Sequence, residues 1–197
     1  EVGTILSDLP YNALMGALLT ATKPVVVNCG SWMGAPVVYE ANEIGATQIL
    51  PLERVGKQYV FVRGNGPTSL EHPIVVAHYN NTKVWINEEQ TTPEMTLQAG
   101  EFWVVPASYY LPSSNIYIRT SEPVFMYQMI GAVATSSSTL KTGSLVFVPP
   151  INCGLPKKID NIYLPNRLKT TRFDGGLMIV ALRDSSVTVR LNGAVVP

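Results

Sequence analysis

Short apolar runs follow one another along the chain, many of them β-branched, with Gly, Pro, Asn or Ser between them. They are Pro24–Val27, Tyr59–Val62, Pro73–Ala77, Val84–Ile86, Phe102–Val105, Ile116–Ile118, Val124–Met129, Leu145–Val148, Met178–Ala181 and Val187–Leu191. Runs of this length, rich in Val, Ile, Tyr and Phe and bounded by turn formers, predict strands. Helical periodicity is weak. Tyr11–Leu19 is its best stretch, and Gly16 with the Thr-rich continuation argues against a helix there. Many short strands with turns between them predict an all-β sandwich or barrel.

A longer period overlies the short one. Thr22–Val27 resembles Ser121–Met126, and Pro51 after Ile49-Leu50 falls on Pro150 after Val148-Pro149. Ile74–Ala77 resembles Met178–Ala181, and Val84–Asn87 resembles Val189–Asn192. The order is kept and the spacing stays at about a hundred residues, drifting as loop insertions allow. The pattern predicts two tandem, internally duplicated β-sandwich-like units. Residues 1–20 form the end of a preceding β unit, 21–120 the first unit, and 121–197 a second unit that is incomplete at its C-terminus. The last residues follow an Asn192-Gly193 hairpin signal.

Composition narrows the function classes. Charged residues make up only 14% of the 197 and apolar ones 46%, against a usual charged share near a quarter, so the chain packs a core rather than staying disordered. Fourteen basic residues balance fourteen acidic ones, and no basic cluster exceeds a pair such as Lys157-Lys158. Nucleic-acid binding and a polybasic membrane patch both need a basic footprint and are not expected. The charge-free runs Leu9–Thr22 and Pro123–Leu140 are interrupted by Asn12 and Gln128, so no membrane insertion is expected. Residue 1 is Glu and no basic segment precedes an apolar one, so the chain reads as an interior stretch of a larger protein.

Candidate chemistry is sparse. His72 and His78 are the only histidines, both at strand ends, and the repeat sets Leu182 opposite His78. No nucleophile elbow, phosphate-binding loop or zinc-binding helix motif is present, so neither catalysis nor a cofactor is expected. Gly64-Asn65-Gly66-Pro67 reads as a turn, because no helix start follows it to cradle a phosphate. Glu88 and Glu89 with Asn80 and Asn81 fall short of the six to eight oxygens of a calcium site and read as solvated turn residues, so no metal is expected. Trp85 and Trp103, in strands, are expected to pack; Trp32, Tyr109 and Tyr110, beside Ser or Gly in loops, are candidate ligand contacts. Cys29 and Cys153 allow one disulfide or two buried thiols.

Several motifs carry a family resemblance. Pro24-Val25-Val26-Val27-Asn28-Cys29-Gly30-Ser31-Trp32, Gln48–Pro51, Val55–Val60, Ile74–His78 and Phe147–Cys153 resemble the N-terminal domain of the IgG-Fc-binding protein family. The last of these, with Ile159–Ile162, is similar to the bacterial version found in very large Bacteroidetes surface proteins, including gliding-motility adhesins exported by the type 9 system. The resemblance implies a secreted, cell-surface location, a repetitive β architecture, and adhesion rather than catalysis. It would make the partners neighbouring repeat units and an unidentified protein or glycan on a surface. No residue matches an Fc-contacting motif, so antibody binding is not implied. Secretion favours a Cys29–Cys153 disulfide, which would join the two units. The expected function is a structural and adhesive module, with a carbohydrate-binding β-sandwich as the alternative and a hydrolase fragment the poorest fit.

Overall fold

The longest apolar alternation becomes the longest strand. Asn115–Ile130 is one sixteen-residue strand, β8; of its seven buried residues Ile116, Ile118, Thr120, Val124, Met126 and Gln128 lie on the even-numbered face, and Met129, near its end, does not. Laid straight, sixteen residues at about 3.3 Å each would span roughly 50 Å. A unit of this length has a radius of gyration near ~15 Å, too small to hold such a rod with one face inward throughout. The strand must therefore change course, and its pairing shows where.

The computed structural model describes residues 15–34, 43–64, 66–68, 70–87, 91–131, 144–151, 158–160, 167–168, 171–172, 179–180 and 187–195. The chain divides into two compact units, Glu1–Lys157 and Lys158–Pro197. In the first, β1 (Val27–Gly34) pairs antiparallel with β2 (Glu43–Ile49). Then follow β3 (Gly56–Val62), β4 (Pro73–Ala77), β5 (Thr82–Ile86), β6 (Met95–Leu97) and β7 (Phe102–Val104), with β9 (Ser144–Phe147) after β8. The described residues hold two 3-10 turns, Leu52–Arg54 and Ala107–Tyr109, and no α-helix.

Both edges of β8 are taken. β3 pairs with its first half and β9 with its last residues; on the other edge β5 pairs with residues 118–120 and β4 with 124–128. β6 extends the sheet beyond β5, and β7 beyond β4. The ladders break around Ser121-Glu122-Pro123. On one edge Lys57 alone bridges the gap opposite residues 120–123; on the other, residues 78–83 loop out opposite 121–123. Pro123 donates no N–H and sits where none is asked for. Side chains close the gap instead: Thr120 Oγ1 donates to Glu122 O at 2.7 Å, Lys83 N to Ser121 Oγ at 2.9 Å, and Lys57 Nζ to Ser121 O at 2.6 Å.

The even face of β8 meets Tyr59 and Phe61 of β3, Val75 and Ala77 of β4, Val84 and Ile86 of β5, Leu97 and Val105 in one buried cluster. One cluster served by both halves of one strand means that the sheet curves round its own core, a β-sandwich-like closure made by a strand shared between layers. Tyr59 locks the change of course. Its buried hydroxyl donates to Val124 O at 2.6 Å and accepts from Gly56 N at 2.8 Å, the pair that lies across the register shift from Tyr59 itself.

The all-β class matches the sequence reading. The expected boundary between residues 120 and 121 does not coincide with the structural division: it falls inside β8, because Ser121-Glu122-Pro123 is a kink within a strand and not a linker between units. Thr22–Val26 forms no strand, whereas its matched segment Ser121–Met126 lies in the central one. The duplication is therefore not shown. In the second unit, β10 (Arg167–Leu168) pairs with β11 (Thr171–Arg172), and β12 (Arg190–Leu191) with β13 (Ala194–Val195). The last pair closes on Asn192 and Gly193, both at positive φ (50° and 86°), the two-residue hairpin that Asn-Gly predicts.

Tyr59→Phe keeps the ring and leaves Gly56 N and Val124 O unpaired, so it should lower stability at pH 7 by about 2 kcal/mol in urea unfolding. Burial pushes the Tyr59 hydroxyl up to about 12. The raised folded value makes its contribution fully present below the unfolded value near ~10 and lost as pH rises from there toward about 12. The wild type should thus weaken across that window, and Tyr59→Phe should lack this share of the loss.

Candidate contact surface and its buried anchor

Two groups of side chains hold chemistry, one facing inward and one facing outward. The inward group begins with the turn after β3. Glu71 is fully buried, and its Oε1 accepts from Gly66 N at 2.7 Å and Gly131 N at 2.8 Å. The turn can close this tightly only on glycine: a Cβ at Gly66 would lie 1.9 Å from Gly131 O, and one at Gly64 would lie 2.8 Å from Glu71 Oε1. Asn65 of the expected Gly64–Pro67 turn lies outside the described residues; the anion on the Gly66 N–H is the chain's own carboxylate. Gln128 donates from Nε2 to Val62 O at 2.9 Å and to Tyr110 Oη at 3.1 Å. The Arg63 guanidinium lies 5.8 Å from the Tyr110 ring centre. Burial raises the Tyr110 pKa, the charge of Glu71 raises it further, and Arg63 opposes both. Glu71 Oε2 and Arg63 Nε are buried without a hydrogen-bond partner. This group ties the 63–72 turn to the end of β8.

The outward group lies on the opposite face of the sheet. Strand alternation puts Lys83 and Trp85 of β5, Tyr117 and Arg119 of β8, and Gln58 and Val60 of β3 on one side, with Asn87 just beyond the end of β5. Register sets Trp85 opposite Arg119, and Arg119 opposite Gln58. The Arg119 guanidinium stacks on the indole with Cζ 4.1 Å from the ring centre. Asn87 ties this face to its rim: it donates from Nδ2 to Tyr109 O and accepts at Oδ1 from Tyr117 N at 3.0 Å.

The predicted contact residues separate. Trp32 lies in β1, with its side chain outside the described set. Tyr109 donates to Glu94 Oε2 at 2.7 Å, which holds its hydroxyl proton and raises its pKa, and it meets Trp103 edge-on at 6.2 Å. Tyr109, Tyr110 and Trp103 all pack partly against the core cluster, so the two tyrosines do not form an exposed coplanar pair. Trp103 packs as expected; Trp85 does so by taking a cation onto its ring. His72 Nδ1 lies 2.9 Å from Val105 O, and His78 meets Tyr79 edge-on at 4.7 Å. Asn80 Oδ1 accepts from Ala99 N and Asn81 bonds Gln98, so both asparagines hold a turn; Glu88 and Glu89 lie outside the described residues. Among the described residues no His, Cys, Asp or Glu cluster could hold a metal.

The expected Cys29–Cys153 disulfide is not shown, because Cys153 lies outside the described residues. Cys29 is a half-buried free thiol on β1 opposite Thr47, close enough to Tyr127 to influence its hydroxyl. Burial pushes the Cys29 thiol up.

Sequence reasoning passed over Glu71, Arg63, Gln128 and the Trp85–Arg119 pair. Gln128 carried a signal, as the one amide among the buried residues of the even face; so did Arg119, at outward parity.

Fold and surface together define an all-β module with inward-anchored turns and an outward aromatic-cationic face. Residues 6–197 match the family described as IgGFc binding protein, and the chain belongs to that family. Neither the curated proteins nor the solved structures give a match. Domains of this family are typically extracellular, and among the described residues no helix is long and apolar enough to cross a membrane.

Glu71→Ala leaves the Gly66 and Gly131 N–H groups without their acceptor, and should cost on the order of 3 kcal/mol in urea unfolding; Glu71→Gln, which keeps an acceptor, should cost about half. Cys29 should alkylate without reductant, at a rate still climbing above the ordinary thiol range, since burial disfavours the thiolate. Labelling that appears only after reduction would restore the bridge.

Proposed function

We propose that this chain is a structural and adhesive β module of a large secreted cell-surface protein, acting in display and contact rather than catalysis. The observation that carries this reading is the family match along residues 6–197, joined to an all-β unit. The use of its polar groups supports it. Glu71, the most buried carboxylate, is spent on backbone N–H groups, and each histidine is engaged at a strand end. Neighbouring units of the parent protein and a glycan or protein on the contacted surface are its partners. Gliding-motility adhesion is the specific form this takes in a bacterial parent, with type 9 export as the route. The carbohydrate-binding alternative draws on the Trp85–Arg119 face.

Deleting these residues from the parent protein should leave export intact and reduce attachment and movement of the producing cell on a surface. Normal export with unchanged attachment and motility would remove the adhesive reading. A parallel pull-down on immobilised IgG Fc tests the activity in the family's name, which this reading does not require.

A further inference from the structure

Arg119 is placed for a partner. Its guanidinium is flattened on Trp85 at 4.1 Å and has no hydrogen-bond or ion-pair partner among the described residues. A stacked guanidinium gives up little hydration and keeps its in-plane N–H fork free for a carboxylate or sulfate. Trp85 Nε1 beside it is buried with no acceptor. Lys83, two residues from Trp85 on the same face, is exposed and adds a second positive charge. Among the described residues Lys57 answers the charge of Glu122 at 3.5 Å, while Glu94, which accepts from the neutral Tyr109 hydroxyl, stays an anion at the rim. Arg119 and Lys83 together outweigh that one carboxylate among the described residues of this face. Around the cation stand an amide, Gln58, and a hydroxyl, Thr96, the latter opposite Lys83 on β6.

We propose that this outward face of β5, β8 and β3 binds acidic glycans, polysaccharides carrying carboxylate or sulfate, through the Arg119 fork with Lys83 in support. The proposal rests on the adhesive reading and names what is contacted. Charge complementarity selects an anion. The form of the face favours a glycan over a peptide: β5 and β8, which carry Trp85 and Arg119, are each paired on both edges, so neither offers a free backbone edge beside the cation for strand addition. Side-chain donors and an aromatic ring on a flat sheet suit a chain of hydroxylated rings. Each contact is weak, and a multi-unit parent gains strength by avidity.

The test measures binding of the full chain to immobilised dextran sulfate and polygalacturonate, with neutral dextran and poly-glutamate as comparisons. Both acidic glycans should bind, with affinity falling as salt rises, and dextran should not. Arg119→Glu should weaken binding at least ~tenfold, and Arg119→Lys, which keeps the charge and loses the fork, about threefold. Lys83→Glu, at an exposed position that leaves the fold alone, should also weaken it about threefold. Equal binding of dextran and dextran sulfate, or unchanged binding by Arg119→Glu and Lys83→Glu, overturns the proposal. So does poly-glutamate binding as tightly as polygalacturonate, which would make the partner a peptide. Beads coated with the wild type separate the two readings: if they hold to a surface as well with Arg119→Glu as without it, this site falls and adhesion stands, whereas beads that never hold count against adhesion itself.

Discussion

A sixteen-residue strand with both edges hydrogen-bonded and one face buried cannot run straight through a small unit, and the N-terminal unit is arranged around that conflict. The ladder is given up over Ser121–Pro123, where proline asks for no donor on either side. Pairing resumes at Val124 with the even face still inward. Losing ladder bonds in a buried sheet would be costly if the groups were left bare. Here the hydroxyls of Thr120 and Ser121, the Lys57 amine and the Tyr59 phenol take over. The kink is thus a polar device inside an apolar core, and every strand that meets β8 takes its position from it.

The same device explains which parts of the sequence were legible. β4 was predicted at its observed bounds because Pro73–Ala77 is a continuous apolar run buried on both faces. β8 was read as two strands because Ser121-Glu122-Pro123 has the composition of a linker, and only the partners on both edges show that the chain continues through it. β6, three residues long between Pro93 and Gly100, is too short for any periodicity to register. β2, with Gly45 and Ala46 in its middle, has its strand character set by pairing with β1 rather than by its own side chains. The expected boundary near residue 120 followed from the hundred-residue spacing of the matched segments, and β8 runs across that point.

Site residues were harder to read, for a different reason. Tyr109 and Tyr110 stood out as adjacent aromatics in a loop, yet a 3-10 turn directs both against the core and commits each hydroxyl. Glu71 drew no notice, because nothing local says that Gly66 and Gly131, far apart in sequence, will converge on it. Trp85 and Arg119 are separated by the length of two strands and become neighbours only through register. Single residues declare their chemistry in a sequence; pairs across a sheet do not.

Comparing the two charged groups shows what each is for. Glu71 is enclosed and its Oε1 is satisfied by two backbone N–H groups that no substitution can move, so it fixes a turn. Arg119 lies on the outward face, laid flat against a ring, its N–H fork unclaimed by the described residues. Cation–π stacking orients a guanidinium while leaving its in-plane donors unused. A fold that needed Arg119 only for packing could place an aliphatic side chain on the indole at lower desolvation cost. Kept ordered on the ring and without an ion-pair partner among the described residues, the cation is available to an anion outside the chain, as the proposed adhesive role requires: turns secured from within, and a positive charge held on the outward face.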